Sequence, residues 1–128
     1  MATTGAIKVT TSLTLANGDL AGLSIPARTQ SITQTTAVPA ARGGTQTIGF
    51  AAHEAIVITD LTTVGWCYFR NRDATNFVQI GADVAAAFVP VVRLNAGEAC
   101  VFRMSQALTP YAKADTAAVI LECNILDD

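Results

Sequence analysis

Few side chains in this sequence could do chemistry. A single histidine, His53, stands before Glu54 at the start of an apolar run. An imidazole beside a carboxylate is raw material for general acid and base catalysis, but one such pair with no metal-binding spacing around it reads more simply as a surface or strand-edge histidine. The three cysteines, Cys67, Cys100 and Cys123, are odd in number, far apart and set inside apolar runs. They read as buried free thiols acting as small hydrophobes. No CxxC, HxH or HExxH spacing offers zinc a site, and Asp60, Asp73 and Asp83 fall in separate loops rather than in a calcium-binding cluster. Arg42-Gly43-Gly44 has neither the spacing of a phosphate loop nor a helix after it, so it reads as a turn. The expectation is no catalytic set, no metal and no cofactor.

One stretch is chemically rich: WCYFRNRDATNFVQIG, residues 66–81, gathers four aromatics and two arginines around a polar centre. Strands over 64–70 and 76–81 would flank Asn71-Arg72-Asp73-Ala74-Thr75, residues that bond their own backbone in turns, and together they predict a hairpin. Alternation separates Cys67 and Phe69 from Trp66, Tyr68 and Arg70, so one face enters the core while Trp66 and Tyr68 lean toward a rim or a partner. Trp66, Tyr68, Arg70, Asn71, Arg72 and Asp73 are therefore the candidate partner contacts, with Arg42 as an outlying addition. Exposed aromatics and amides could also hold a sugar, through Trp66, Tyr68, Phe77, Asn71 and Asn76. Burial of these rings in a strand is the plainer alternative.

The elements that must carry these residues are strands. Ile7, Val9, Thr11, Leu13 and Leu15 alternate with Lys8, Thr10, Ser12 and Thr14, and Asn17-Gly18 then supplies a turn. At the other end Ala117, Val119, Leu121, Cys123 and Ile125 form an apolar face opposite Glu122 and Asn124. Between them strands are expected near 23–33, 45–50, 54–60, 64–71, 76–81, 87–94, 98–104 and 110–114. Pro26 and Pro90 assign their runs to edges or bulges, because proline cannot donate to a ladder. The Ala-rich stretch 82–88 is at most a short crossover. Many short strands at this spacing predict an all-β fold, an antiparallel β-sandwich or jelly roll with little or no helix.

At 128 residues the chain fits one domain, with residues 1–5 a flexible N-terminal arm and 34–47 a long polar loop. Only 14% of residues are charged, against roughly 25% in ordinary soluble domains, and the net charge is −2. Such a low-charge surface suits a protein packed against others, and it offers no field to gather nucleic acid. No apolar run approaches the roughly 18 residues that span a bilayer, and MATTGAIKVTTS lacks the basic start and apolar block of a signal peptide. The expectation is synthesis in a cytosol, with no membrane partner.

From His53 onward the order of pieces resembles small β-structured virion proteins of tailed bacteriophages, among them capsid decoration (cement) proteins and head-fibre or tail-associated proteins. The pieces are Phe69-Arg70-Asn71, Asp73-Ala74-Thr75-Asn76, Val78-Gln79-Ile80-Gly81, Arg93-Leu94-Asn95-Ala96-Gly97-Glu98 and Tyr111-Ala112-Lys113-Ala114. The resemblance implies a structural part of a virion, oligomeric and without an active site. The expected partners are its own copies, as a homotrimer, and the major capsid protein or another virion protein. A decoration protein stapling the head is the leading expectation. A tail, neck or fibre-base component and a carbohydrate-binding module are the alternatives.

Overall fold

The computed structural model describes residues 6–15, 23–33, 41–59, 61–105 and 108–127, and among them there is no helix. The chain divides into two compact units, Met1–Pro39 and Ala40–Asp128. The expected arm at 1–5 and the first part of the expected loop, 34–40, lie outside the described residues.

In the first unit β1 (Ala6–Leu15) pairs antiparallel with β2 (Leu23–Thr33) as a two-stranded ribbon. Its register sets Ile7 opposite Ile32, Val9 opposite Gln30 and Leu13 opposite Ile25. The pairing shifts between Thr11 and Leu13, and Pro26 falls in the irregular part of β2. A residue without an N–H is tolerated where the ladder is already broken, as expected.

Among its described residues the second unit has eight strands: β3 (Ala41–Ile48), β4 (Glu54–Ala55), β5 (Val64–Asn71), β6 (Val78–Val84), β7 (Ala87–Leu94), β8 (Ala99–Arg103), β9 (Tyr111–Ala114) and β10 (Val119–Asp127). One sheet has the order β3-β10-β5-β8 and the other β4-β9-β6-β7, with all neighbours antiparallel. Consecutive strands β3 and β4, β5 and β6, β7 and β8, and β9 and β10 occupy corresponding places in the two sheets. That order is the one of a jelly roll. Inward residues of both sheets meet in one core, with Ile48, Phe69, Val78, Ile80, Leu121 and Ile125 almost wholly buried.

Four expectations need correction. Strands β5 and β6 do not form a hairpin; they belong to different sheets, and residues 72–77 arch between them. The cause is Asn71, which is fully buried. Its amide nitrogen donates to the carbonyls of Asn76 (2.8 Å) and Leu94 (3.1 Å), and its amide oxygen accepts from the Asp73 N–H (2.9 Å). This pulls the chain off the sheet after one last β5 residue, and the Arg72 N–H bonds to the Ile120 carbonyl at 3.0 Å. Second, Arg42-Gly43-Gly44 is not a turn but the start of β3, so the expected loop ends before residue 41. A Cβ on Gly43 would meet Asn124 Oδ1 at 2.8 Å, so a larger residue there would have to turn the Asn124 side chain aside. Third, residues 82–88 are neither helix nor crossover but the tip of the β6–β7 hairpin. Ala85 and Ala86 turn with φ of 52° and 68°, and Asp83 Oδ1 accepts the Ala86 N–H at 3.1 Å. Of the expected strand 54–60, Glu54–Ala55 pairs as β4 among the described residues, and the Ile56 N–H bonds to the Pro110 carbonyl at 2.9 Å.

The faces of β10 follow the expected alternation, with Val119, Leu121, Cys123 and Ile125 buried. Leu121→Ala should therefore cost about 2–5 kcal/mol, through lost transfer energy plus a cavity. Glu122→Ala, on the half-buried side, should cost far less; comparable shifts in chemical denaturation would reverse the assigned faces. Asn71→Ala should lose several kcal/mol, on the order of 1–3 for each buried backbone group left unpaired. Urea unfolding measures it, and a change under about 0.5 kcal/mol would deny the amide its role.

Candidate functional site: the outer face of the β5 sheet

Strand β5 alternates from Trp66 onward. Cys67, Phe69 and Asn71 are buried, Trp66 and Tyr68 are half-buried and Arg70 is exposed, while Val64 and Gly65 at its start are both buried. Directly opposed residues in antiparallel strands share a face, so the register extends the platform sideways. Trp66 stands opposite Arg103; Tyr68 lies between Val101 and Asn124; Arg70 lies between Ala99 and Glu122. Ile120, farther along β10, adds an exposed aliphatic side chain. Tryptophan, tyrosine and arginine on one flat surface are the residue types that carry most of the energy of protein interfaces. The indole Nε1 of Trp66 is buried and has no hydrogen-bond partner among the described residues. An unpaired buried donor costs about 1–3 kcal/mol.

Of the expected contact residues, the structure brings Trp66, Tyr68 and Arg70 together. Arg72 is exposed at the start of the arch, and Asn71 faces the interior. Asp73 spends its carboxylate on the arch: Oδ2 accepts from the backbone N–H groups of Asn76 (2.6 Å) and Thr75 (2.9 Å). Those two bonds hold its pKa below the ordinary carboxylate value. Arg42 is on β3, two strands from β5, where it lines a hollow of about 80 Å³ with Cys123. Sequence reasoning missed Val101, Arg103, Ile120, Glu122 and Asn124. Alternation within each strand marks them as outward, but nothing local says that β8 and β10 flank β5.

The thiols behave as hydrophobes. Burial, reinforced by the neighbouring Cys100 and Cys123 thiols, pushes Cys67 up to about 12, and burial raises Cys123 to about 11. Near neutral pH both stay protonated and unreactive. Among the described residues, no group of three His, Cys, Asp or Glu side chains is placed to hold a metal ion. Comparison with family models, curated proteins and solved structures finds no match to this chain.

His53 is better anchored than a strand-edge residue. Its Nε2 lies 2.6 Å from Asp83 Oδ2, and its ring leans on Phe88 and Tyr111 with centroids 5.4 and 5.5 Å away. The pair ties the segment before β4 to the β6–β7 hairpin. The His53 hydrogen bond, with help from the Ala86 N–H, holds the Asp83 pKa below its ordinary 3.8. A depressed carboxyl contributes stability that is present above its unfolded pKa and lost as pH falls through the folded one. His53→Phe should raise the Asp83 pKa toward 3.8, seen by NMR titration of the carboxyl carbon, and should reduce the acid sensitivity of the hairpin between pH 4 and the folded value. An unmoved Asp83 titration would show that the histidine does not hold it.

Proposed function

We propose that this protein is a structural assembly component without enzymatic activity, in the manner of the bacteriophage decoration proteins that its sequence resembles. It would act as a homotrimer seated on the major capsid protein of a virion. The observation that carries the reading is the β1–β2 ribbon. A two-stranded hairpin is at best marginally stable in water. Here strands of ten and eleven residues have no third strand beside them among the described residues, and the opposed pair Leu13 and Ile25 remains 59% and 43% exposed. Such a ribbon gains most when a neighbouring subunit covers it.

Two further observations support the reading. The β5 platform supplies Trp66, Tyr68 and Arg70 for a second contact. The jelly roll is common among viral capsid and lectin domains, a likeness of fold that raises this reading without assigning it. A tail, neck or fibre-base role uses the same surfaces around a different axis. A glycan-binding role rests on the half-exposed Trp66 and Tyr68 beside Asn124.

Light scattering on the purified protein should give a trimer, and Leu13→Asp with Ile25→Asp should convert it to a monomer while the melting of the β-sandwich stays within a few degrees. A wild-type monomer at tens of micromolar would overturn assembly through the ribbon. In purified particles of the encoding virus, copy number should scale with the capsid shell; a copy number matching a single ring at the neck or tail moves the assignment there.

A further inference from the structure

Strands β7 and β8 are the last strands of their respective sheets, and the turn at Asn95–Glu98 joins them at one end only. Between the sheets on that side is a cleft of about 340 Å³, lined by Ile80, Val92, Phe102, Met104 and Leu108, with Arg103 and Ser105 as the polar residues of the lining. Packed interiors hold few spaces larger than a water molecule, which needs about 10–15 Å³ in this measure. The cleft is far beyond a packing defect and falls at the lower end of the roughly 300–1,000 Å³ of small-molecule sites.

The backbone shapes it. Ile80 pairs with Val92 but Gly81 pairs with Pro90, so Val91 is an extra residue in β7, a bulge. A Cβ on Gly81 would overlap the Val89 carbonyl. Glycine thus permits the close approach, while the bulge bends β7 and leaves Val91 79% exposed beside the cleft. Core side chains that would otherwise be sealed, Val92, Phe102 and Met104, remain only partly buried.

The chemistry of the lining selects the occupant. Branched aliphatic groups, one phenyl ring and one flexible thioether offer dispersion contacts and almost no hydrogen bonds, so water there is poorly held and a charged ligand would lose its hydration without compensation. An added protein strand is a poor fit, because Pro90 removes a donor from the β7 edge. We propose that this cleft is a binding site for one small, uncharged apolar molecule per protomer, of the size of a bicyclic aromatic or a medium-length aliphatic chain.

The test uses the full chain and the neutral fluorophore N-phenyl-1-naphthylamine. Binding should be saturable, with one molecule per protomer. Met104→Trp fills the cleft from within, and Leu108→Trp narrows it from a partly exposed position that tolerates a larger side chain. Each should weaken binding by about tenfold or more, the loss of roughly one buried side chain's worth of contact. Val84→Ser, exposed at the tip of the β6–β7 hairpin and outside the cleft, should leave affinity unchanged. A linear, unsaturable titration would overturn the site, as would tight binding that survives Leu108→Trp in a folded protein. So would equal loss in Val84→Ser, which would place the probe outside the cleft.

Discussion

A single buried amide decides how this chain crosses between its sheets. Asn71 ends β5, yet its side chain bonds to the carbonyl of Asn76 in the following arch and to that of Leu94 at the end of β7. Its backbone N–H donates to the Glu98 carbonyl at 2.9 Å, and its own carbonyl accepts the Gly97 N–H at 3.0 Å. Four segments therefore converge on one residue: the β5 end, the arch to β6, the β7 end and the turn into β8. In a low-dielectric interior such a network is stabilising only when every member is satisfied, so the arch has one stable path. With β5 and β6 sent to opposite sheets at corresponding places, the positions of β7 and β8 at the far edge follow. The apolar cleft and the outward platform of Trp66, Tyr68 and Arg70 both depend on that arrangement.

The all-β class and most strands were legible because alternation is a local signal. The limits of β7 at 87 and 94 coincide with the expected ones, and Val119, Leu121, Cys123 and Ile125 face inward on β10 as expected, whereas Ala117 is exposed ahead of the strand. What escaped the sequence lies in pairings over long separations. Asn71-Arg72-Asp73-Ala74-Thr75 has the composition of a hairpin loop, and only the bond from Asn71 to Leu94, 23 residues on, distinguishes an arch from a hairpin. Gly43-Gly44 looks like a breaker until Asn124 arrives beside it from the far end of the chain. The left-handed Ala85 and Ala86 carry none of the usual Asn-Gly signature, and Asp83 supplies the stabilising bond instead. The candidate site was half legible for the same reason: β5 announced which residues face outward, and the strands beside it did not announce themselves.

The two units spend their apolar residues differently. The jelly roll buries most of its apolar residues between its two sheets, leaving the cleft at the β7 and β8 edge. The ribbon has two strands among the described residues, and its Leu13 and Ile25 pair is exposed. Low overall charge fits the proposed assembly, since a surface covered by neighbours would gain nothing from costly desolvation of ions.

The pairing of β3 with β10 also sets a timetable. Ile48 meets Val119, so β3 leaves the ribosome long before β10, its ladder partner among the described residues, exists, by several seconds at about 5–20 residues per second. A waiting edge strand is a template for the wrong partner. The β3 sequence ARGGTQTI is ill-suited to that error: two glycines, one arginine, two threonines and one glutamine precede its single large aliphatic side chain. The composition that disguised β3 as a loop is also what allows it to remain unpaired in a crowded cell until the last strand is made.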